Sequence, residues 1–131
     1  VIWSSNYSTG VNILFAVNKY LAQLLHNTSG YQPSITEVHH IHKLDAPSGT
    51  AKVLASLVKS GLGTTPDITS IREGEVPGTH IVKFKSDVDK IKISHEAFSR
   101  EGFAEGAVVA ATMTEDVKGV HEFKELLLMK Q

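Results

Sequence analysis

The run Glu37-Val38-His39-His40-Ile41-His42-Lys43-Leu44-Asp45-Ala46-Pro47-Ser48-Gly49-Thr50-Ala51 changes character midway. Its first part, read back to Ser34, is extended. Ile35, Thr36 and Val38 favour a strand over 34–40, the charged Glu37 is expected on an exposed face, and His39 and His40 point to opposite faces. Pro47 then disfavours helix at Ala46, and Ser48 is placed to cap a helix running to about Ser60. In that helix Ala51, Leu54, Ala55, Leu57 and Val58 recur at helical spacing, and Gly61 is the expected stop. A strand that passes through a short polar turn into a helix is the unit around which the rest of the chain is arranged.

The chemistry of the turn is unusual for its length. Gly49 and Thr50 fall in the first helical turn, where backbone N–H groups lack intrahelical acceptors and the helix dipole is positive. Such a helix start holds a carboxylate or phosphate without a charged side chain, Gly49 lets the anion come close, and Lys43 adds a full positive charge. His39, His40 and His42 exchange protons near neutral pH, since imidazole ordinarily titrates at about 6.5. These residues predict a site that grips an acidic small molecule and moves a proton on or off it. Two rival readings use the same residues. In one, His40 and His42 ligate zinc with His80 or His95 as a third ligand. The lack of cysteine and the repelling charge of Lys43 weigh against it, and no metal is expected. In the other the chain is a purely structural oligomerisation module whose histidines only pack. A Walker phosphate loop is excluded, because no Gly-Lys-Ser/Thr follows a leading glycine.

Outward from this unit the pattern continues in both directions. Ser8 is expected to cap a helix over 9–26 whose stripe is Val11, Leu14, Phe15, Asn18, Leu21, Ala22 and Leu25, with loop over 27–33. After a break at 61–66, residues 68–72 form a short strand and 73–78 a turn. Strands over 79–85 and 90–97 alternate cleanly, and 86–89 supplies turn residues, which predicts an antiparallel hairpin. His80, Val82 and Phe84 share one face, as do Ile91, Ile93 and His95. From Ser99 a third helix is expected, with Phe103, Ala104, Ala107, Val108, Ala111 and Met113 inward, then an apolar tail over 123–129. The sum is an α+β two-layer domain: about four strands in a mixed sheet, helices on one face, and the other face left for a subunit contact.

A chain of 131 residues with 41% hydrophobic content forms one domain with a real core, and a net charge of -1 gives no general reason to expect nucleic acid or an anionic membrane as a partner. No apolar run approaches the ~20 residues of a membrane span, and the absence of cysteine fits a cytoplasmic location. Val1-Ile2-Trp3 reads as the end of a buried strand whose sheet lies elsewhere, and with no initiator methionine an N-terminal portion is expected beyond it. A dinucleotide fingerprint is missing: the glycines at 61 and 63 have Pro66 where the third would fall.

The run 39–51 closely resembles the signature of the 4-hydroxy-tetrahydrodipicolinate reductases, also called dihydrodipicolinate reductases, of diaminopimelate and lysine biosynthesis. Further resemblance lies at 5–12, at Arg72-Glu73-Gly74-Glu75-Val76-Pro77-Gly78-Thr79-His80 and at 95–100, in the family's order. The resemblance covers essentially the whole chain but only the second part of a family member. It implies that residues 1–7 are the remnant of an N-terminal dinucleotide-binding domain and hinge, and that 8–131 form the C-terminal substrate-binding and oligomerisation domain. It implies His39 as the acid/base group and Lys43 as the proton donor that also offsets developing charge. His40, Gly49 and Thr50 would hold a dicarboxylate substrate, with the backbone by Ser48 contributing, and Ser4, Ser5, Asn6 and Tyr7 would lie against the nicotinamide of NADH or NADPH. The cofactor would be held mainly by the N-terminal domain, so this part is expected to be inactive alone, and the family assembles as homotetramers through this domain's sheets. Arg100 is a further candidate for a substrate carboxylate. Family members often carry arginine where this chain has Ile41.

Overall fold

The computed structural model describes residues 2–3, 8–28, 30–99 and 121–122. Helix α1, Thr9–His26, starts where the sequence places it: the Ser8 hydroxyl accepts from the Val11 amide at 3.3 Å. Strand β2 covers Gln32–His39, and α2 covers Gly49–Leu62 with Ser48 as its N-cap. Strands β3, β4 and β5 follow at Asp67–Arg72, Gly78–Lys85 and Lys90–Ala97.

Four of these strands form one mixed sheet in the order β3-β2-β4-β5. β2 and β3 are parallel because α2 carries the chain back across the sheet between them, whereas β2–β4 and β4–β5 are antiparallel. Ser86 closes the β4–β5 hairpin, its hydroxyl accepting from the amides of Val88 and Asp89 at 3.2 and 3.1 Å. β1, Ile2–Trp3, pairs in parallel with β6, His121–Glu122, so the strand read at the start of the chain has a partner near its other end. The expected third helix from Ser99, the 123–129 tail and Arg100 lie outside the described residues.

The helices cover one face of the sheet. Val11, Phe15, Ala22, Leu54, Val58, Ile35, Val82 and Phe84 meet in a core where none is more than 1% exposed. Burying side chains of this size stabilises by about 1.5–3 kcal/mol each for the larger ones. The polar interruption in the α1 stripe has a bonding reason, since buried Asn18 donates to the Leu54 carbonyl at 3.1 Å and ties α1 to α2.

Two local expectations are overturned. Gly61 is not the stop of α2: it lies inside the helix, where an added Cβ would come within 2.7 Å of the Ala22 Cβ, so it is the contact that lets α1 and α2 approach. Gly63, left-handed at φ +89°, ends the helix with its amide on the Lys59 carbonyl at 2.9 Å. Nor is Glu37 on an exposed face. It is fully buried, in the helix-side row of β2 with Ile35 and His39.

Candidate active site

The buried carboxylate of Glu37 is the hub of the site. Arg72, at the end of β3, donates from Nη2 to Oε1 at 2.9 Å. The Ser48 amide spans both oxygens at 3.2 and 3.1 Å, and the Ser48 hydroxyl makes a short hydrogen bond to Oε2. The N-cap of α2 is thereby fixed to the middle of β2. Two residues on, and so on the same strand face, His39 brings Nε2 to 3.4 Å from Glu37 Oε2. From β4 His80 reaches the same point, with Nε2 3.3 Å from both His39 Nε2 and Ser48 Oγ.

Arg72 also holds the turn between strand and helix. Its Nε donates to the Lys43 carbonyl at 3.3 Å and its Nη2 to the Asp45 carbonyl at 2.6 Å. The end of β2 is pinned from the other side, where the Glu73 amide donates to the His39 carbonyl at 2.8 Å and the Ile41 amide to the Gly74 carbonyl at 3.0 Å. Backbone bonds and one guanidinium therefore set the conformation of the motif.

The electrostatics follow from burial and these partners. Burial pushes the Glu37 carboxyl up, but the bonds from Ser48, Arg72 and Ser70 together hold it below its usual range, so it is ionised at neutral pH. His39 is drawn below 6.5 chiefly by burial; Glu37 opposes this, and Lys43, Arg72 and His40 add to it. His80, almost wholly buried, is lowered to about 4 by burial and then by His39, again against Glu37, and is neutral at pH 7.

The other residues singled out from sequence lie around this hub. Lys43 is half-buried, its Nζ 3.1 Å from the Asp45 carboxylate, which it holds below the usual range. Gly49 is exposed, with open space where a Cβ would stand, while Thr50 is buried. His40 and His42 line a cleft of about 410 Å3 with Glu75, Pro77 and Ser99. Ser4, Ser5, Asn6 and Tyr7 lie outside the described residues. Among the described residues, the group of acidic and imidazole side chains that converges closely enough to share an ion is Glu37, His39 and His80, which contains neither His40 nor His42. The carboxylate of that group is already taken up by hydrogen bonds from Arg72 and Ser48.

Sequence reasoning missed Glu37, Arg72 and the part His80 plays. The signal was available in strand periodicity, since Glu37 is two residues from His39 and His80 alternates with Val82 and Phe84. Gly61 is the penultimate residue of α2 and Gly63 its C-cap, so neither opens a helix.

The family model described as dihydrodipicolinate reductase, C-terminus, matches residues 10–127. A 4-hydroxy-tetrahydrodipicolinate reductase of Christiangramia forsetii is 44% identical over 96% of this chain and 58% of its own length. One from Methanopyrus kandleri is 36% identical over 95% of the chain and 51% of its own. Among solved structures, a dipicolinate-bound dihydrodipicolinate reductase from Paenisporosarcina sp. TG-14 superposes with a TM-score of 0.77 at 19% identity, covering 92% of this chain and 52% of that one. The chain thus spans about half the length of the relatives it matches, and across that half it carries the fold; it belongs to the dihydrodipicolinate reductase C-terminal family.

Proposed function

We propose that this chain is the substrate-binding and proton-transfer part of a 4-hydroxy-tetrahydrodipicolinate reductase, serving the NAD(P)H-dependent reduction of that cyclic dicarboxylate to tetrahydrodipicolinate in diaminopimelate and lysine biosynthesis. The observation that carries the reading is the bond of Ser48 to Glu37. It joins the start of α2, a natural seat for a carboxylate, to the strand that ends in His39. A substrate carboxylate rests at Gly49 and Thr50, with His40 beside it. Lys43 offsets charge that develops on the ring, and His39 exchanges the proton. An acid held within hydrogen-bond reach contributes about 10²–10⁴-fold in rate.

The hydride is the chemistry of NADH or NADPH, with Ser4, Ser5, Asn6 and Tyr7 against the nicotinamide and the rest of the dinucleotide held elsewhere. In this reading its seat belongs to the remainder of the protein, which residues 1–7 join to the domain formed by 8–131. Without it the chain does not turn over. The reading also carries a cytoplasmic location and assembly into a homotetramer through the sheet face opposite the helices.

Dipicolinate, a flat diacid named with the structural relative, is the probe. Titrated into the 15N-labelled chain, it is expected to shift the resonances of Lys43, Gly49, Thr50 and the His39 and His40 rings together, along one saturable curve. Absence of any shift at millimolar dipicolinate, or shifts confined to residues away from the motif, would overturn the assignment.

A further inference from the structure

We infer that His80 and His95 form a proton path from His39 to the surface groove between α1 and β5, so that the acid/base group is recharged from behind while substrate fills the cleft. The inference rests on the reading of His39 as that group and deepens it.

Three imidazoles stand in series on the helix side of the sheet. His39 and His80 are hydrogen-bonded, Nε2 to Nε2 at 3.3 Å, with their rings edge to face and centroids 5.0 Å apart. His95 is the residue of β5 directly opposite His80, and side chains so paired have Cβ atoms about 4.5–5.5 Å apart. After burial and His39, and against Glu37, His95 is among the causes that lower the basicity of His80, as its nearness requires. His39 and His80 are buried, whereas His95 is half-buried and lines a groove of about 260 Å3 with Gly10, Ile13 and Ser94. Gly10 makes room for the ring, since a Cβ there would lie 2.6 Å from His95 Nε2.

The nitrogens are disposed for transfer. Ser48 commits its hydroxyl proton to Glu37, and its Oγ accepts from the Ala51 amide at 3.2 Å, so what it turns to His80 Nε2 at 3.3 Å is a lone pair. His80 therefore carries its proton on Nε2, and His39 Nε2, the other atom facing it, is bare and accepts. The outer nitrogens are the unusual ones: His80 Nδ1 and His95 Nδ1 are both buried without a hydrogen-bond partner among the described residues. Buried polar atoms are rarely left so. Two of them on facing side chains mark a gap of the kind that one bridging water spans.

Protonated on Nδ1 from His95, His80 passes its Nε2 proton to His39 Nε2, which leaves His80 neutral and His39 an imidazolium beside the Glu37 carboxylate. His39 then gives its Nδ1 proton to the reduced substrate. When the cleft reopens, water protonates His39 Nδ1, the Nε2 proton returns to His80, and the Nδ1 proton of His80 leaves towards His95. With its basicity lowered to about 4, His80 is an imidazolium only about one part in a thousand at pH 7, so it hands protons on and stores none.

Exchange of ring N–H protons with water, measured by NMR at pH 7 on the 15N-labelled chain without ligand, tests the path. In the wild type the Nε2 proton of His80, a residue only 3% exposed, is expected to exchange at least about 100-fold faster than the Val82 amide two residues along β4. In His95→Phe and in His95→Gln it should slow by about 10-fold or more while the Val82 amide is unchanged. A histidine that only packs would move both together. A neutral wild-type His80 protonated on Nδ1, or a ring proton that exchanges as slowly as the Val82 amide, overturns the inference without any variant, so it stays testable even if neither variant folds. Unslowed exchange in a folded His95 variant overturns it as well. Because no dipicolinate is present, failure here is distinct from failure of the ligand titration.

Discussion

A carboxylate with no exposed surface would be driven to neutrality unless donors replaced its water, and Glu37 has those donors in Arg72, the Ser48 amide and the Ser48 hydroxyl. The histidines beside it have the opposite relation to pH. His80 titrates at about 4 in the fold against 6.5 when free, so its contribution to stability is whole above pH 6.5 and is lost as the pH falls towards 4. Over that window the loss is about 3 kcal/mol. His39 and His95, both lowered by burial, act in the same direction, and Glu37, lowered by its bonds, extends the loss below its ordinary 4.5. Urea denaturation is therefore expected to give a free energy of unfolding that falls between pH 7 and pH 4.5. The fall should be smaller in His80→Gln, whose amide keeps a donor towards Ser48 but does not titrate. An equal fall in the two proteins would assign the acid sensitivity elsewhere. This property was not legible from sequence, because the polarity of Glu37 argued for solvent while its spacing from Ile35 and His39 argued for the core. Only the arrival of Arg72 and Ser48, from 35 and 11 residues away in sequence, decides between them.

At the level of elements, local signals carried far. Ser8 and Ser48 cap the helices they were expected to cap, alternation placed β4 and β5 almost to the residue, and His39 and Gly49 emerged on the strand and helix expected of them. The two glycines near the end of α2 were not separable this way, since one answers to backbone conformation and the other to a neighbouring helix. Their substitution should separate them. At Gly63 an L-residue meets only the left-handed penalty of about 1–2 kcal/mol, and Asn, which tolerates that conformation, should be milder than Ala. At Gly61 a Cβ strikes the Ala22 Cβ at 2.7 Å and the Gln23 amide nitrogen at 3.0 Å, contacts that no rotamer relieves. Gly61→Ala should cost about 1–3 kcal/mol and Gly61→Asn more, the reverse order to position 63. Denaturation midpoints of the four variants give the answer, and the same order at both sites would show that Gly61 is not a packing contact.

For the molecule as a whole, the unsettled surface is the face of the sheet turned away from α1 and α2. Register puts Val38 beside Ile71 and Thr36 beside Ile81 there, with Lys83 opposite Lys92 and Thr79 opposite Glu96 towards the rim. An apolar centre within a charged margin is the composition of a contact that is dry in the middle and wet at its edge. In the proposed homotetramer a second copy of the chain would be that partner, each copy meeting the same patch on the other. Ile81 is the residue to change, because it sits on an inner strand and is only half-buried in the single chain. Ile81→Glu leaves a lone protomer little affected, as the carboxylate can reach water. In an assembly it would place an unpaired charge in the desolvated centre, at a cost of about 3 kcal/mol or more. Each 1.4 kcal/mol is a factor of ten in association, so sedimentation equilibrium should show self-association weakened by at least about 100-fold, with the circular dichroism spectrum unchanged. If wild type and Ile81→Glu associate equally, this face is not where copies of the chain meet. Monomers throughout would mean that the sheet alone does not drive assembly.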